Sequence, residues 1–375
     1  MGLFLMVIYT PGLLLLVKVE SPPSQFENRA FQKRPSFELK KTSLQGIYKA
    51  VKSYKKSMEQ YIDEKLVVRE FFLDLHLGLK SQLFHVNPQP EKVITGVDGW
   101  MFGVELDSVL RQTIGQAVLP NKAYSNIDNN IKGVSDYLNE KGIKHYFLLA
   151  PNKHSIYYSK IGFEDIPVYR LKHQLFEILE KHQIPYIDPT AEIVEKSKST
   201  QLYFKTDTHW NDEGALVAFN LLIDRVNKDF IETAVDRQLH YRLKVDVMHH
   251  CGLSRMIRSS KLEDYQSIVI TKDRGGKKKN ELDVPLNYKR KKVDYEFRFY
   301  NPNKKLKVLV FRDSFSNAMK ELYAATFNEV VFIWEPKFSQ ELVERENPDI
   351  VIIEFVERLI PKMINYNQPT HHTKL

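Results

Sequence analysis

The sequence predicts an α/β domain built on a mainly parallel sheet, with a helical region in front of it. Three observations carry that expectation. Short, continuous apolar runs recur: HYFLLA (145–150), KVLVF (307–311), EVVFIW (329–334) and DIVIIEF (349–355). Unbroken rather than alternating apolar character suits strands covered on both faces. Between these runs lie stretches of helical spacing, at 126–141, at 169–182 and from 339 onward, and strand–helix alternation is the pattern of a parallel sheet with helices on its faces. Finally, 43% of the 375 residues are hydrophobic and 12% aromatic, which is enough for at least one large core.

The elements follow in order along the chain. Residues 3–17 are apolar except for Tyr9 and Thr10, and residues 1–20 read as a membrane or signal anchor. The run is shorter than the ~20 residues of a spanning helix, Pro11-Gly12 interrupts it, and Lys18 follows rather than precedes it; a buried helix or a truncated start are the competing readings. Residues 21–90 form a linker and a helical region. Pro22, Pro23 and Pro35 punctuate the linker, while Ile47, Val51, Tyr54, Met58, Tyr61 and Ile62 recur at helical spacing. The main domain is expected over 91–365. It opens on GVDGWMF (96–102), where a glycine-bounded turn predicts a hairpin. Residues 245–300 are less regular and rich in Lys, Arg and Tyr, as a possible insertion would be.

Composition narrows the function classes. The lone Cys251 excludes an internal disulfide framework and any paired-cysteine zinc site. The formal charge of +8, from 55 Lys and Arg against 47 Asp and Glu, is concentrated in runs such as Lys277-Lys278-Lys279 and Lys289-Arg290-Lys291-Lys292. Such runs are ordinarily solvated loops, and acidic glycans or anionic headgroups are the partners that would suit them. No nucleic-acid motif accompanies them. There is no glycine-rich phosphate loop and no metal-ligand cluster, so no cofactor and no metal is implied.

Two constellations can carry chemistry. Asp313-Ser314-Phe315-Ser316 directly follows the KVLVF run and precedes a helix. A serine at a strand-to-helix turn has its hydroxyl exposed beyond the carboxyl end of the sheet, beside helix N–H groups that suit an oxyanion. Read alone, it is equally an Asp/Ser helix cap. In YFKTDTHWN (203–211), Asp207 stands two residues before His209. A neutral imidazole can take a serine proton, and a carboxylate on its other nitrogen fixes the tautomer and stabilises the imidazolium. Read alone, it is equally a satisfied loop histidine or part of a metal site.

Together, YFKTDTHWNDEGA (203–215) and VLVFRDSFS (308–316) resemble the two signature blocks of the alginate O-acetyltransferase (AlgX/AlgJ, DHHW-type) group of SGNH hydrolase-like proteins. GVDGWMFG (96–103) and APNKHSIYYSK (150–160) are similar to the group's entry motif and strand-end segment, in the same order. The resemblance implies a three-layer α/β/α SGNH domain in which Ser314 is the nucleophile, His209 the general base and acid, and Asp207 the orienting carboxylate. It further implies an O-acetyltransferase that works through an acetyl-serine on an extracytoplasmic polysaccharide. By the same resemblance the acetyl donor is supplied by a membrane-bound O-acyltransferase, and the protein is a single-pass membrane protein with its catalytic domain outside. A polysaccharide acetylesterase with the same triad, or a carbohydrate-binding protein with a degenerate site, remains the alternative.

Where the group's pattern has Gly before Asp-Ser, this chain has Arg312. Arg312 is a candidate for holding an oxyanion or an acidic sugar, or else a partner for a nearby carboxylate. Asn152 and Lys153, at the end of the first buried run, are further oxyanion or substrate candidates, against a plain turn and a surface lysine. Tyr203 and Trp210 are candidates for a sugar-stacking wall, against simple packing. Glu354, Glu357 and Arg358 suit an ion pair at the sheet end, and Asn211 an N-cap.

Overall fold

The computed structural model describes residues 34–37, 43–65, 69–80, 87–104, 108–233, 235, 239–248, 252–259, 262–285, 288, 292–334 and 337–365. The chain separates into two compact units, one within 1–90 and 254–260, the other within 91–253 and 261–375. In the first, helices span Leu44–Lys65 and Arg69–Gly78. Tyr54, Met58 and Tyr61 of the predicted stripe are half-buried, and Phe37 meets Tyr54 edge-on at 5.1 Å, whereas Ile47 and Val51 remain exposed.

The second unit opens on the predicted hairpin, β1 (Val93–Thr95) and β2 (Met101–Gly103), paired antiparallel. The Gly96 N–H donates to the Trp100 carbonyl at 2.7 Å to close the turn. A Cβ at Gly96 would lie 2.0 Å from the Lys160 carbonyl oxygen, so only glycine fits there.

Beyond the hairpin come β3 (Lys144–Ala150), β4 (Tyr186–Ile187), β5 (Tyr241–Met248), β6 (Glu263–Ile270), β7 (Gly276–Lys278), β8 (Glu296–Tyr300), β9 (Lys307–Phe311), β10 (Glu329–Ile333) and β11 (Ile350–Val356). Seven of them form the main sheet in the order β4-β3-β11-β9-β10-β8-β7. Pairing is parallel from β4 to β10, and β8 and β7 join antiparallel at one edge. β5 and β6 pair separately, as an antiparallel ribbon. The 245–300 segment therefore contributes two strands to the main sheet.

Alternate residues of each central strand enter different cores, as the two-residue period of a strand requires. Tyr146, Leu148, Val308, Val310, Ile350 and Ile352 face one core, together with Phe219, Leu222 and Ile223 of the Asp212–Asp229 helix. Phe147, Leu149, Leu309, Phe311, Val351 and Ile353 face the other, with the helices Asn121–Glu140, Leu171–Lys181 and Gln340–Glu346. This is the expected three-layer α/β/α arrangement, and it explains why the strands read as continuous apolar runs.

The chain leaves β3 outward to β4 through the Leu171–Lys181 helix on one face, and leaves β9 toward β10 through the Lys320–Thr326 helix on the other. Crossovers that diverge in this way open a crevice at the carboxyl ends of β3, β11 and β9.

The single-pass membrane placement does not stand. Among the described residues no helix is long and apolar enough to cross a membrane, and residues 1–20, on which that expectation rested, lie outside the described residues.

Candidate active site

Ser314 sits where the sequence predicts, at the first turn beyond β9, with helical backbone angles (φ −74°, ψ −18°) that start the 3-10 helix Phe315–Met319. The turn is stitched to its neighbour strand. Asp313 accepts the Phe315 N–H through Oδ1 and the Val356 N–H through Oδ2, each at 2.7 Å. Glu354, inside β11, accepts the Ser316 hydroxyl at 2.5 Å and the Asp313 N–H at 3.2 Å. Burial, and then the Asp313 charge, push the Glu354 carboxyl well above the usual carboxylate range.

Asp207 and His209 come from an irregular loop 105 residues earlier that packs against this turn. His209 Nδ1 lies 2.5 Å from Asp207 Oδ1, and Nε2 lies 2.7 Å from Ser314 Oγ. With the Nδ1–H donating to Asp207, Nε2 is the acceptor and the serine hydroxyl donates to it. Burial alone would push the Asp207 carboxyl up. The His209 imidazole and the N–H groups of Gly252 and His209, all on its oxygens, instead hold it well below the usual range. The His209 side chain keeps 30% of its surface open while that of Asp207 keeps 6%, so reactants reach the imidazole and not the carboxylate.

The other predicted residues separate sharply. Asn152, two residues beyond β3, is 1% exposed, donates its backbone N–H to Glu357 at 3.1 Å, and has both side-chain amide atoms buried without a hydrogen-bond partner. Lys153 is neither a surface lysine nor turned toward a substrate. Its ammonium donates to the carbonyls of Phe204, Lys205 and Asp207 at 3.0, 3.1 and 2.6 Å, so its charge holds the Asp–His loop. Arg312 is buried, with its guanidinium 4.3 Å from the Trp334 ring centroid and bonded to the Asp313 and Asp294 carbonyls and to Asn317 Oδ1; it clamps the turn from behind.

Tyr203 and Trp210 do not form a sugar-stacking wall. They are 0% and 1% exposed, and their polar ends are bonded to the carbonyls of Pro151 and Phe315. A stacking platform needs an open ring face. Asn211 caps its helix as expected, accepting the Gly214 N–H at 3.0 Å, and Glu357 pairs with Arg170 at 3.2 Å beside the sheet end.

Two contributors escaped the sequence reading. The Gly252 N–H donates to Asp207 Oδ2, where a Cβ would stand 3.0 Å from that oxygen. Glu263 of β6 accepts the Lys205 and Thr206 N–H groups at 2.6 and 2.9 Å and the Thr206 hydroxyl at 2.7 Å. No local pattern marks either residue. A run of loop N–H groups without strand partners, such as 205–206, was the one available hint that a carboxylate had to arrive from elsewhere.

Comparison with known proteins bears on the family and the fold. Residues 93–279 match the family described as SGNH hydrolase-like domain, acetyltransferase AlgX. A Pseudomonas syringae pv. tomato protein named "Probable alginate O-acetylase AlgJ" is 28% identical over 44% of this chain and 40% of its own. Its Pseudomonas putida namesake is 25% identical over 46% and 43%. The chain thus spans less than half the length of the curated relatives it matches. Two solved structures share the fold. Bacillus cereus PatB1 with a sulfonyl adduct has a TM-score of 0.51 and 16% identity, over 74% of this chain and 100% of that one. A DHHW family protein from Eubacterium siraeum has a TM-score of 0.50 and 14% identity, over 74% and 99%. The chain is an AlgX/AlgJ-like member of the SGNH hydrolase-like proteins.

Proposed function

We propose that this chain is an O-acetyltransferase that moves an acetyl group through acetyl-Ser314 onto a hydroxyl of a polysaccharide, with residues 91–365 as the catalytic module. The observation that carries the reading is the unbroken relay Asp207–His209–Ser314, with spacings of 2.5 and 2.7 Å, just beyond the carboxyl end of β9. Its Asp, His, Ser order along the chain is that of the AlgX-like group.

In the first half-reaction Ser314 Oγ attacks the acetyl carbonyl as its proton passes to His209 Nε2, and Asp207 stabilises the imidazolium. Collapse of the tetrahedral adduct returns that proton to the departing donor and leaves acetyl-Ser314. In the second half-reaction a sugar hydroxyl gives its proton to His209 as it attacks the acetyl carbon, and His209 returns that proton to Ser314 Oγ as the acetyl–serine bond breaks. We assign the unpartnered Asn152 amide as an oxyanion donor, because a buried N–H with no acceptor in the resting site is available when negative charge develops. We further propose that the donor half is served by a membrane-bound O-acyltransferase, as the family resemblance implies.

The test is release of p-nitrophenol from p-nitrophenyl acetate, with and without a glycan acceptor. The expected result is release that depends on Ser314 and, with the acceptor present, acetyl appearing on the glycan. Folded protein that releases nothing in either condition would overturn the reading in favour of a carbohydrate-binding protein.

A further inference from the structure

Beneath the nucleophile turn lies a buried acid that neither half-reaction uses. Glu354 is 2% exposed, and its Oε2 holds both the Ser316 hydroxyl and the Asp313 N–H. Its other oxygen, Oε1, is buried without a hydrogen-bond partner, as is the nearby Tyr323 hydroxyl. Asp313 spends both of its oxygens on backbone N–H groups, and Glu354 Oε2 likewise only accepts, so a proton on Glu354 has its place on the unpartnered Oε1. Two buried carboxyl groups bonded to one short turn carry a second charge only at a cost.

We propose that Glu354 is a positioning residue for acetyl transfer, its neutral carboxylic acid holding the 313–316 turn so that Ser314 Oγ stays on His209. The inference rests on the acetyl-transfer reading. Ser316 ties the acid to the residue two beyond the nucleophile, and the Asp313 N–H ties it to the residue just before, so the two bonds bracket Ser314. The groups that face Glu354 are Asp313, Arg312, Ser316 and the Tyr323 phenol. Burial and then the Asp313 charge favour the neutral form, against the hydrogen bonds from Ser316 and the Asp313 N–H and the Arg312 charge, and the net direction is upward.

The arrangement has a consequence for pH. If the acid ionises at alkaline pH, a second negative charge appears under the serine, where an oxyanion must form, and turnover falls. Glu354→Gln keeps an acceptor oxygen for both donors, keeps the volume, and cannot ionise.

The experiment measures kcat and KM for p-nitrophenyl acetate against pH in the full chain, in Glu354→Gln and in Glu354→Ala, with Ser314→Ala as the background control. Glu354→Gln should keep kcat within about threefold at neutral pH and lose the alkaline decline of the wild type. Glu354→Ala should lose roughly tenfold or more in kcat with KM little changed. Infrared difference spectra between wild type and Glu354→Gln should show a protonated-carboxyl band at neutral pH that only the wild type possesses. An alkaline limb unchanged in Glu354→Gln, or no such band, overturns the proposal while Ser314-dependent turnover keeps the acetyl-transfer reading standing. Turnover that does not depend on Ser314 overturns both.

Discussion

The two halves of the relay are held in opposite ways. The nucleophile turn is held by the sheet: β9 delivers it, and β11, paired with β9, brings the Val356 N–H to the Asp313 carboxylate and the Glu354 carboxyl to the Asp313 N–H. The Asp–His loop has no strand of its own beyond the single Tyr203–Trp210 bridge. It is held by single groups from distant sequence, namely the Lys153 ammonium, the Glu263 carboxylate and, on Asp207 itself, the Gly252 main-chain N–H. The nucleophile thus inherits its position from the sheet. The base depends on a few charge-assisted bonds, each stronger than a neutral one and each costly to lose.

The sharpest way to break the comparison is at the nucleophile. Ser314→Ala removes one oxygen from a turn whose other bonds come from backbone, Asp313 and Glu354, so the fold should remain while p-nitrophenyl acetate turnover drops by at least ~10³-fold. Near-normal turnover in the folded variant would dissolve the relay.

Lys153→Met is the corresponding cut on the loop side. Three carbonyls, those of Phe204 and Asp207 in buried bonds, lose a charged donor, which should cost on the order of 3 kcal/mol in urea unfolding, with loss of turnover because Asp207 and His209 drift. A cost under about 1 kcal/mol would mean that the loop is held by the surrounding packing and that the contrast between the two halves is overdrawn.

The uneven legibility of the sequence follows from the same contrast. KVLVF and DIVIIEF announced themselves as strands because both faces are buried, and Ser314 followed from its place at a strand end. Asp207 and His209 were legible because their bond spans two residues, and Asn211 because a cap is a local hydrogen bond. The pairing of His209 with Ser314 spans 105 residues, and only the family resemblance joined them in advance. Lys153, Gly252 and Glu263 act across 45 to 58 residues, which no spacing rule encodes. The aromatics misled for a different reason. Tyr203 and Trp210 flank a catalytic loop in sequence, yet loop flanks are where a fold seats large side chains to exclude water.

A pH series sharpens the account of the loop. The folded-state Asp207 carboxyl is held below its unfolded value. The stability it contributes is therefore complete above the ordinary carboxylate range, near pH 4, and is lost as pH falls below that toward the folded value. Between neutral pH and about pH 2 the wild type should lose on the order of 2 kcal/mol more than Asp207→Asn, which has no proton to take up. Parallel stability profiles for the two proteins would show that Asp207 is not anchored as its bonds to His209 and Gly252 imply.

The smallest expected effect decides what the aromatic flank does. The Tyr203 ring is fully buried, meets Tyr157 edge-on at 6.0 Å, and donates its hydroxyl to the Pro151 carbonyl at 2.6 Å. Tyr203→Phe keeps the ring and removes one neutral hydrogen bond, leaving a buried carbonyl short of a donor, which costs about 1 kcal/mol. Pro151 immediately precedes Asn152, so the bond also helps set the end of β3, and a modest fall in kcat is expected. KM for a glycan acceptor should not move, because no acceptor reaches a ring with no open face. A sugar-stacking ring would give the reverse pattern: stability unchanged and acceptor KM raised when the ring is cut back to Leu. Measuring the acceptor KM in Tyr203→Phe and Tyr203→Leu beside their unfolding midpoints separates the two roles, since packing predicts that the damage appears in stability and not in KM.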